Sequence, residues 1–168
     1  MDIHFFIEQM KLNLNAILKH YEALDDDFLH WKQFENKWSL LEILNHLCDE
    51  ERADFRLRLD YTLNRPGETW PIWQPLKLVE ERNYNQLAFD TSLTDFTDER
   101  KKSIQWLQEL GEINWEADYI HPEIGRMTAG DLMAAWLAHD YLHLRQIANT
   151  KLEYLRQLAQ PYSLRYAG

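Results

Sequence analysis

The chain has 168 residues, 45% of them hydrophobic, and carries 28 acidic against 18 basic side chains for a formal net charge of −10. Length and apolar content predict one globular domain over residues 1–168, excluding a disordered tail, and the acidic balance argues against nucleic acid as a partner because phosphate contacts need a basic face. A single cysteine, Cys48, excludes an internal disulfide, and no apolar run approaches the ~20 residues of a membrane span.

Apolar periodicity predicts four helices. The first runs from Asp2 to Leu24, with Ile3, Phe6, Ile7, Met10, Leu14, Ile17, Leu18 and Tyr21 spaced by threes and fours. The second starts at Ser39, where Ser39-Leu40-Leu41-Glu42 has the form of a capping box. It continues through Ile43, Leu47, Phe55, Leu59 and Leu63 and stops before Pro66-Gly67. The third spans Ser92 to Leu110, with Gly111 placed to end it as a C′ glycine. The fourth starts at Thr128, behind the weaker box Thr128-Ala129-Gly130-Asp131, and extends to Leu158, with Pro161 barring continuation. No strand period competes with these segments.

Four amphipathic helices predict an all-α four-helix bundle. The segment from Arg65 to Asp90 is the longest connection and can return along a bundle edge, so a crossover topology is expected. Its Trp70, Trp73 and Tyr84 either cover a pocket or simply pack the loop down. Met1-Asp2-Ile3-His4 shows no basic region followed by an apolar run, so no secretory leader is expected and the predicted location is cytoplasmic.

The chemistry is concentrated in His139-Asp140-Tyr141-Leu142-His143. Histidines at i and i+4 project from one helix face, one turn apart, and can grip one metal ion. Two imidazoles rarely suffice, since a catalytic zinc-type site takes three protein ligands plus water. His46 lies on the apolar side of the second helix, where an imidazole is costly unless its nitrogens are satisfied. One such histidine alone reads as a core residue bonded to a neighbour. Three on inward stripes, two of them paired, favour a metal.

Other candidates rank lower. Glu50 follows His46 by one turn and is placed either as a proton acceptor beside a metal or as an ion-pair partner, for instance of Arg145. Asp140 could orient a ligand or act as a base, but at i+1 from a ligand position it turns away and reads instead as a solvated or helix-packing residue. Cys48 projects from the other side of its helix and is neither ligand nor nucleophile. His121-Pro122 falls in a loop that could approach the site. The peptidase motif His-Glu-x-x-His is not met, because Asp140 replaces its glutamate and no third ligand follows in that pattern.

Three groups of residues, taken together, resemble the DinB/YfiT-like superfamily of small helical metal proteins. They are Trp38-Ser39 with His46-Leu47 and Glu51, then His121-Pro122-Glu123-Ile124-Gly125 with Met127-Thr128, then His139-Asp140, His143 and Gln146-Ile147. The resemblance implies a four-helix bundle in up-down-down-up order with a long crossover. It implies that His46, His139 and His143 hold a divalent transition metal, nickel or zinc, and that the chain forms a homodimer. Relatives include S-transferases and isomerases that use a low-molecular-weight thiol co-substrate, and others described as metal-dependent hydrolases. The expected function is therefore a metal-dependent enzyme acting on a small-molecule substrate, by thiol transfer or hydrolysis, with Glu50 as proton acceptor and with neither nucleic acid nor membrane as partner. The alternative is a non-catalytic metal-binding protein of the stress or DNA-damage response, its bundle stapled by the ion.

Overall fold

The computed structural model describes residues 1–167; Gly168, the last residue of the predicted domain, lies outside them. Its first helices are α1 (Ile3–Tyr21), α2 (Asp26–His30) and α3 (Leu40–Asp49). A π-helical turn (Glu50–Phe55) joins α3 directly to α4 (Arg56–Asn64). Then come α5 (Pro75–Glu81), α6 (Phe89–Glu109), strands β1 (Asp118–His121) and β2 (Gly125–Thr128), and α7 (Ala129–Leu158).

Local chemistry sets the helix ends. Asp2 accepts the amides of His4 and Phe5 at the start of α1. Ser39 and Glu42 complete both halves of the predicted capping box, and Thr128 with Asp131 does the same for α7. Helix α1 ends at Tyr21, short of Leu24, because Glu22 turns extended and Ala23 takes a left-handed φ of 56°. Helix α6 begins at Phe89 rather than Ser92, and it ends without a left-handed glycine. Leu110 is already extended, and the positive-φ glycines are Gly67 and Gly125.

Three expectations need correction. The second predicted helix is not continuous α-helix; it carries a wide π turn at Glu50–Phe55. The connector from Arg65 to Asp90 is not bare loop, because Pro75, whose missing N–H costs nothing at a first helical turn, opens the short helix α5. A β-hairpin, absent from the periodicity, pairs Asp118 with Thr128 through His121 with Gly125. Strands of four residues are too short for an alternation to be read, and the turn depends on Gly125 at φ +89°.

Helix α1 packs on α6 and α7, α3 on α6 and α7, and α4 on α7. The core has two apolar clusters. One gathers Ile7, Met10, Leu59, Leu107, Met133 and Trp136; the other gathers Leu14, Ile17, Leu44, Leu47, Phe96 and Ile147. Along every long helix a polar layer separates them: Asn13 on α1, His46 to Asp54 on the second helical segment, Arg100 and Ser103 on α6, and His139 to His143 on α7. No helix among the described residues is long and apolar enough to cross a membrane.

Candidate metal centre

Within that layer, α3 contributes His46 and α7 contributes His139 and His143. The two α7 histidines, one turn apart, place their Nε2 atoms 3.0 Å from each other. His46 Nε2 approaches His139 Nε2 to 3.3 Å from the facing helix. One ligand atom from each of the three lies within 4.8 Å of the others. His46 and His143 are buried and His139 is half-buried.

Hydrogen bonding alone does not account for this arrangement. A neutral imidazole nitrogen is either one donor or one in-plane acceptor. His139 Nε2 faces two other Nε2 atoms and can serve only one of them well. Protonation does not resolve the conflict: burial, followed by the charge of the neighbouring histidines, pushes His46 down to about 2. Burial and the proximity of His143 push His139 down to about 3, and burial lowers His143 as well. Three imidazoles held neutral with their Nε2 atoms converging form a donor set that could hold a divalent metal ion. Nitrogens about 2.0–2.1 Å from a tetrahedral ion lie about 3.3 Å apart, close to the spacings seen.

Aromatic side chains wall the cluster. The Trp38 ring lies 4.8 Å from the His46 ring, and Phe55 lies 5.2 Å from His139. Such walls exclude water and fix the imidazole planes.

The π turn decides what else reaches the site. It carries Glu50, Glu51 and Asp54, all buried, into the interior beside the histidines. Glu50 Oε1 lies 3.6 Å from His46 Nδ1 and accepts a 2.9 Å hydrogen bond from Trp73 Nε1. Burial, then the charge of Asp54, push the Glu50 carboxyl up to about 8, and a cation held by the adjacent His46 would favour its ionised form. Asp54 pairs with Arg58 at 2.5 Å. Of the two sequence expectations for Glu50, an ion pair with Arg145 is not formed; the residue sits beside His46.

Of the two expectations for Asp140, the helix-packing one holds: it is fully buried, not solvated. Arg100 binds it through two hydrogen bonds of 2.7 and 2.6 Å, and Asn13 Nδ2 donates a third at 3.1 Å. The same guanidinium reaches Glu51 at 2.7 Å, and Trp136 Nε1 donates to Glu51 at 2.8 Å. This network anchors the two segments that carry the histidines, since Asp140 adjoins His139 and Glu51 adjoins Glu50. His121 is not part of the cluster; its Nδ1 accepts the amides of Glu123 and Ile124 within the hairpin turn. Cys48 is buried in the second apolar cluster, and burial pushes its thiol up to about 12, which removes it as a nucleophile.

Sequence reasoning placed Phe55 on the apolar stripe of the second helix but not against His139, and it assigned no role to Arg100 or to a Trp73–Glu50 contact. Arg100 had one available signal, a cation on the inward face of α6 four residues after Phe96. Trp73 reads from sequence as covering a pocket or packing the loop down, but its partner Glu50 depends on how the connector folds back.

The profile of the DinB superfamily matches residues 9–147. Among solved structures, the chain is similar to YfiT from Bacillus subtilis, with a TM-score of 0.79 and 14% sequence identity over 90% of this chain and 87% of that one. YfiT is described as a probable metal-dependent hydrolase with an unusual four-helix bundle topology. At that identity the likeness establishes the shared four-helix bundle. No curated protein matches the sequence.

Proposed function

The chain belongs to the DinB superfamily, and on that premise we propose that it is a metal-dependent enzyme acting on a small molecule, with His46, His139 and His143 as ligands of one divalent transition metal, nickel or zinc. The observation that carries this reading is the convergence of three neutral Nε2 atoms, two of them 3.0 Å apart, where no hydrogen-bonding scheme satisfies all three. Such an ion would supply Lewis-acid activation of water or of a low-molecular-weight thiol near neutral pH.

The protein's own groups divide the remaining work. Glu50, against His46 Nδ1, orients that ring and is the proton acceptor on the inner side of the site. Trp73 donates to Glu50 and holds its carboxylate in place. Phe55 and Trp38 keep the imidazoles apart from bulk solvent. Hydrolysis and thiol transfer both use this arrangement, and the description of YfiT as a metal-dependent hydrolase supports the first. The reading includes a homodimer and an up-down-down-up helix order. That order is supported by the sense of side-chain pairing. Gln9 meets Tyr141 and His20 meets Lys151, so α1 and α7 run the same way, whereas His46 meets His143 and Glu51 meets Trp136, so α3 and the π turn run against α7.

Elemental analysis of untagged protein tests the metal reading. We expect about one equivalent of nickel or zinc per chain, lost in His139→Ala. No metal after reconstitution with either ion would remove the enzymatic proposal. Turnover of ester and amide panels, set beside conjugation of an electrophile with low-molecular-weight thiols, then separates hydrolysis from thiol transfer. A closed four-ligand shell without exchangeable water would favour the stapling role instead.

A further inference from the structure

A cavity of about 660 Å³ lies along the outer face of α7, beneath the segment joining α2 to α3. Its volume falls within the ~300–1,000 Å³ of small-molecule sites. Two of its walls belong to the metal centre as well. Trp38 covers the His46 ring, and Gln146 stands beside His143. None of the three histidines lines the cavity; Trp38 and Gln146 are what it shares with the cluster's surroundings.

Its charge runs against that of the chain. The protein carries a net −10, yet the lining holds two cations, Lys37 and Arg145, and a single carboxylate, Glu153. Neither cation forms an ion pair among the described residues. Glu153 is already occupied: Arg156 lies 3.2 Å away, and Gln33 Nε2 donates to it at 3.2 Å. Trp31 and Trp38 supply flat apolar walls, with Trp31 held edge-on against Tyr154 at 5.3 Å between ring centroids. Two free cations beside two indole faces form a receptor for a molecule with an anionic group and a flat apolar body.

We propose that this cavity is the substrate-binding half of the site and selects a small organic anion, its carboxylate or sulfonate held by Lys37 and Arg145 and its apolar body laid between Trp31 and Trp38 toward the histidine cluster. Its catalytic meaning rests on the metal-dependent reading above; its selectivity for anions does not.

The test compares two fluorescent probes of the same shape: the anion 8-anilinonaphthalene-1-sulfonate and the neutral N-phenyl-1-naphthylamine. Each is titrated into chelator-treated native protein, into the Lys37→Gln/Arg145→Gln double variant, and into nickel-loaded protein. Both substituted residues are exposed, so the melting temperature checks that the fold is kept. We expect saturable binding of the anion at one site, weakened roughly tenfold per cation removed, with the neutral probe unchanged between the two proteins. Nickel should quench the bound anion in the native protein and not in His139→Ala. Equal binding of both probes, or no loss in the double variant, overturns the cavity assignment, whatever the metal content. Selective anion binding together with failure to take up metal supports the cavity assignment and removes only the metal reading.

Discussion

Replacing Arg100 by Met tests whether the polar layer is held by one buried cation. Arg100 is 1% exposed and is shared by Asp140, at 0%, and Glu51, at 1%. Its loss strands two carboxylates in the middle of the bundle. Asp140 keeps one hydrogen bond from Asn13, and Glu51 keeps one from Trp136. Breaking a buried pair costs about 3–5 kcal/mol, a large part of the ~5–15 kcal/mol that holds a domain folded. For a chain of this length the corresponding fall in melting temperature is roughly 6–20 °C. The penalty also has a pH sign. Burial already raises the Glu51 carboxyl with Arg100 in place, and losing the guanidinium that opposes this pushes it further above its unfolded value near 4. Stability is then lost as pH rises through that interval, and R100M should be damaged less at pH 5 than at pH 8. Urea denaturation followed by helical circular dichroism at both pH values, against wild type, measures both effects. A loss under about 1 kcal/mol, or a loss equal at the two pH values, would refute the view that Arg100 neutralises this layer.

Further outcomes follow from the same geometry. The three histidines are held neutral: burial carries His46 and His139 far below the ordinary ~6.5 and lowers His143 in the same direction. The unfolded chain therefore binds more protons, and the metal-free protein should lose stability as pH falls from about 6.5 toward 3, by up to ~1.4 kcal/mol per pH unit for each group; thermal melts of chelator-treated protein at pH 7.5, 6 and 5 read this, and His143→Gln should flatten the slope. Removing the metal from loaded protein should lower the melting point, since an ion at 1,000 times its Kd contributes about 4 kcal/mol; a chelator titration during thermal melting follows it. Glu50→Gln keeps the shape but not the charge beside His46, so metal affinity should fall about 10–100-fold while the fold is retained, as measured by competition with a chromogenic chelator. Ser39→Ala removes the oxygen that accepts the Glu42 amide and that itself donates to Asn85 at 2.6 Å, and chemical denaturation should register a loss of about 1–2 kcal/mol.

Much of the frame was readable from local pattern. The stripe from Ile3 to Tyr21 implies α1 because helical periodicity is a property of neighbours in sequence. Ser39 with Glu42, and Thr128 with Asp131, announce helix starts because capping involves residues three apart. His139 and His143 share a face for the same reason. The inward position of His46 follows from its own stripe. Its meeting with a pair 93 residues further on depends on how far α3 slides along α7, which no local spacing encodes.

The remainder was settled by contacts distant in sequence. The π turn arises in a segment whose residues read as ordinary helix, and it holds the buried Glu50, Glu51 and Asp54. The hairpin at 118–128 is too short for alternation, and its Tyr119 packs against Trp70 from the connector, 4.1 Å between ring centroids. Trp73 reaches Glu50 only because that connector folds back over the bundle. Asp140, one position from His139, reads as either solvated or helix-packing until Arg100 arrives from α6. Local order along one helix was therefore determined by the sequence itself, because it depends on backbone geometry and adjacent side chains. Which helix faces which, and at what depth, was decided by the tertiary structure, because buried charge and converging imidazoles find their partners only across the packed interior.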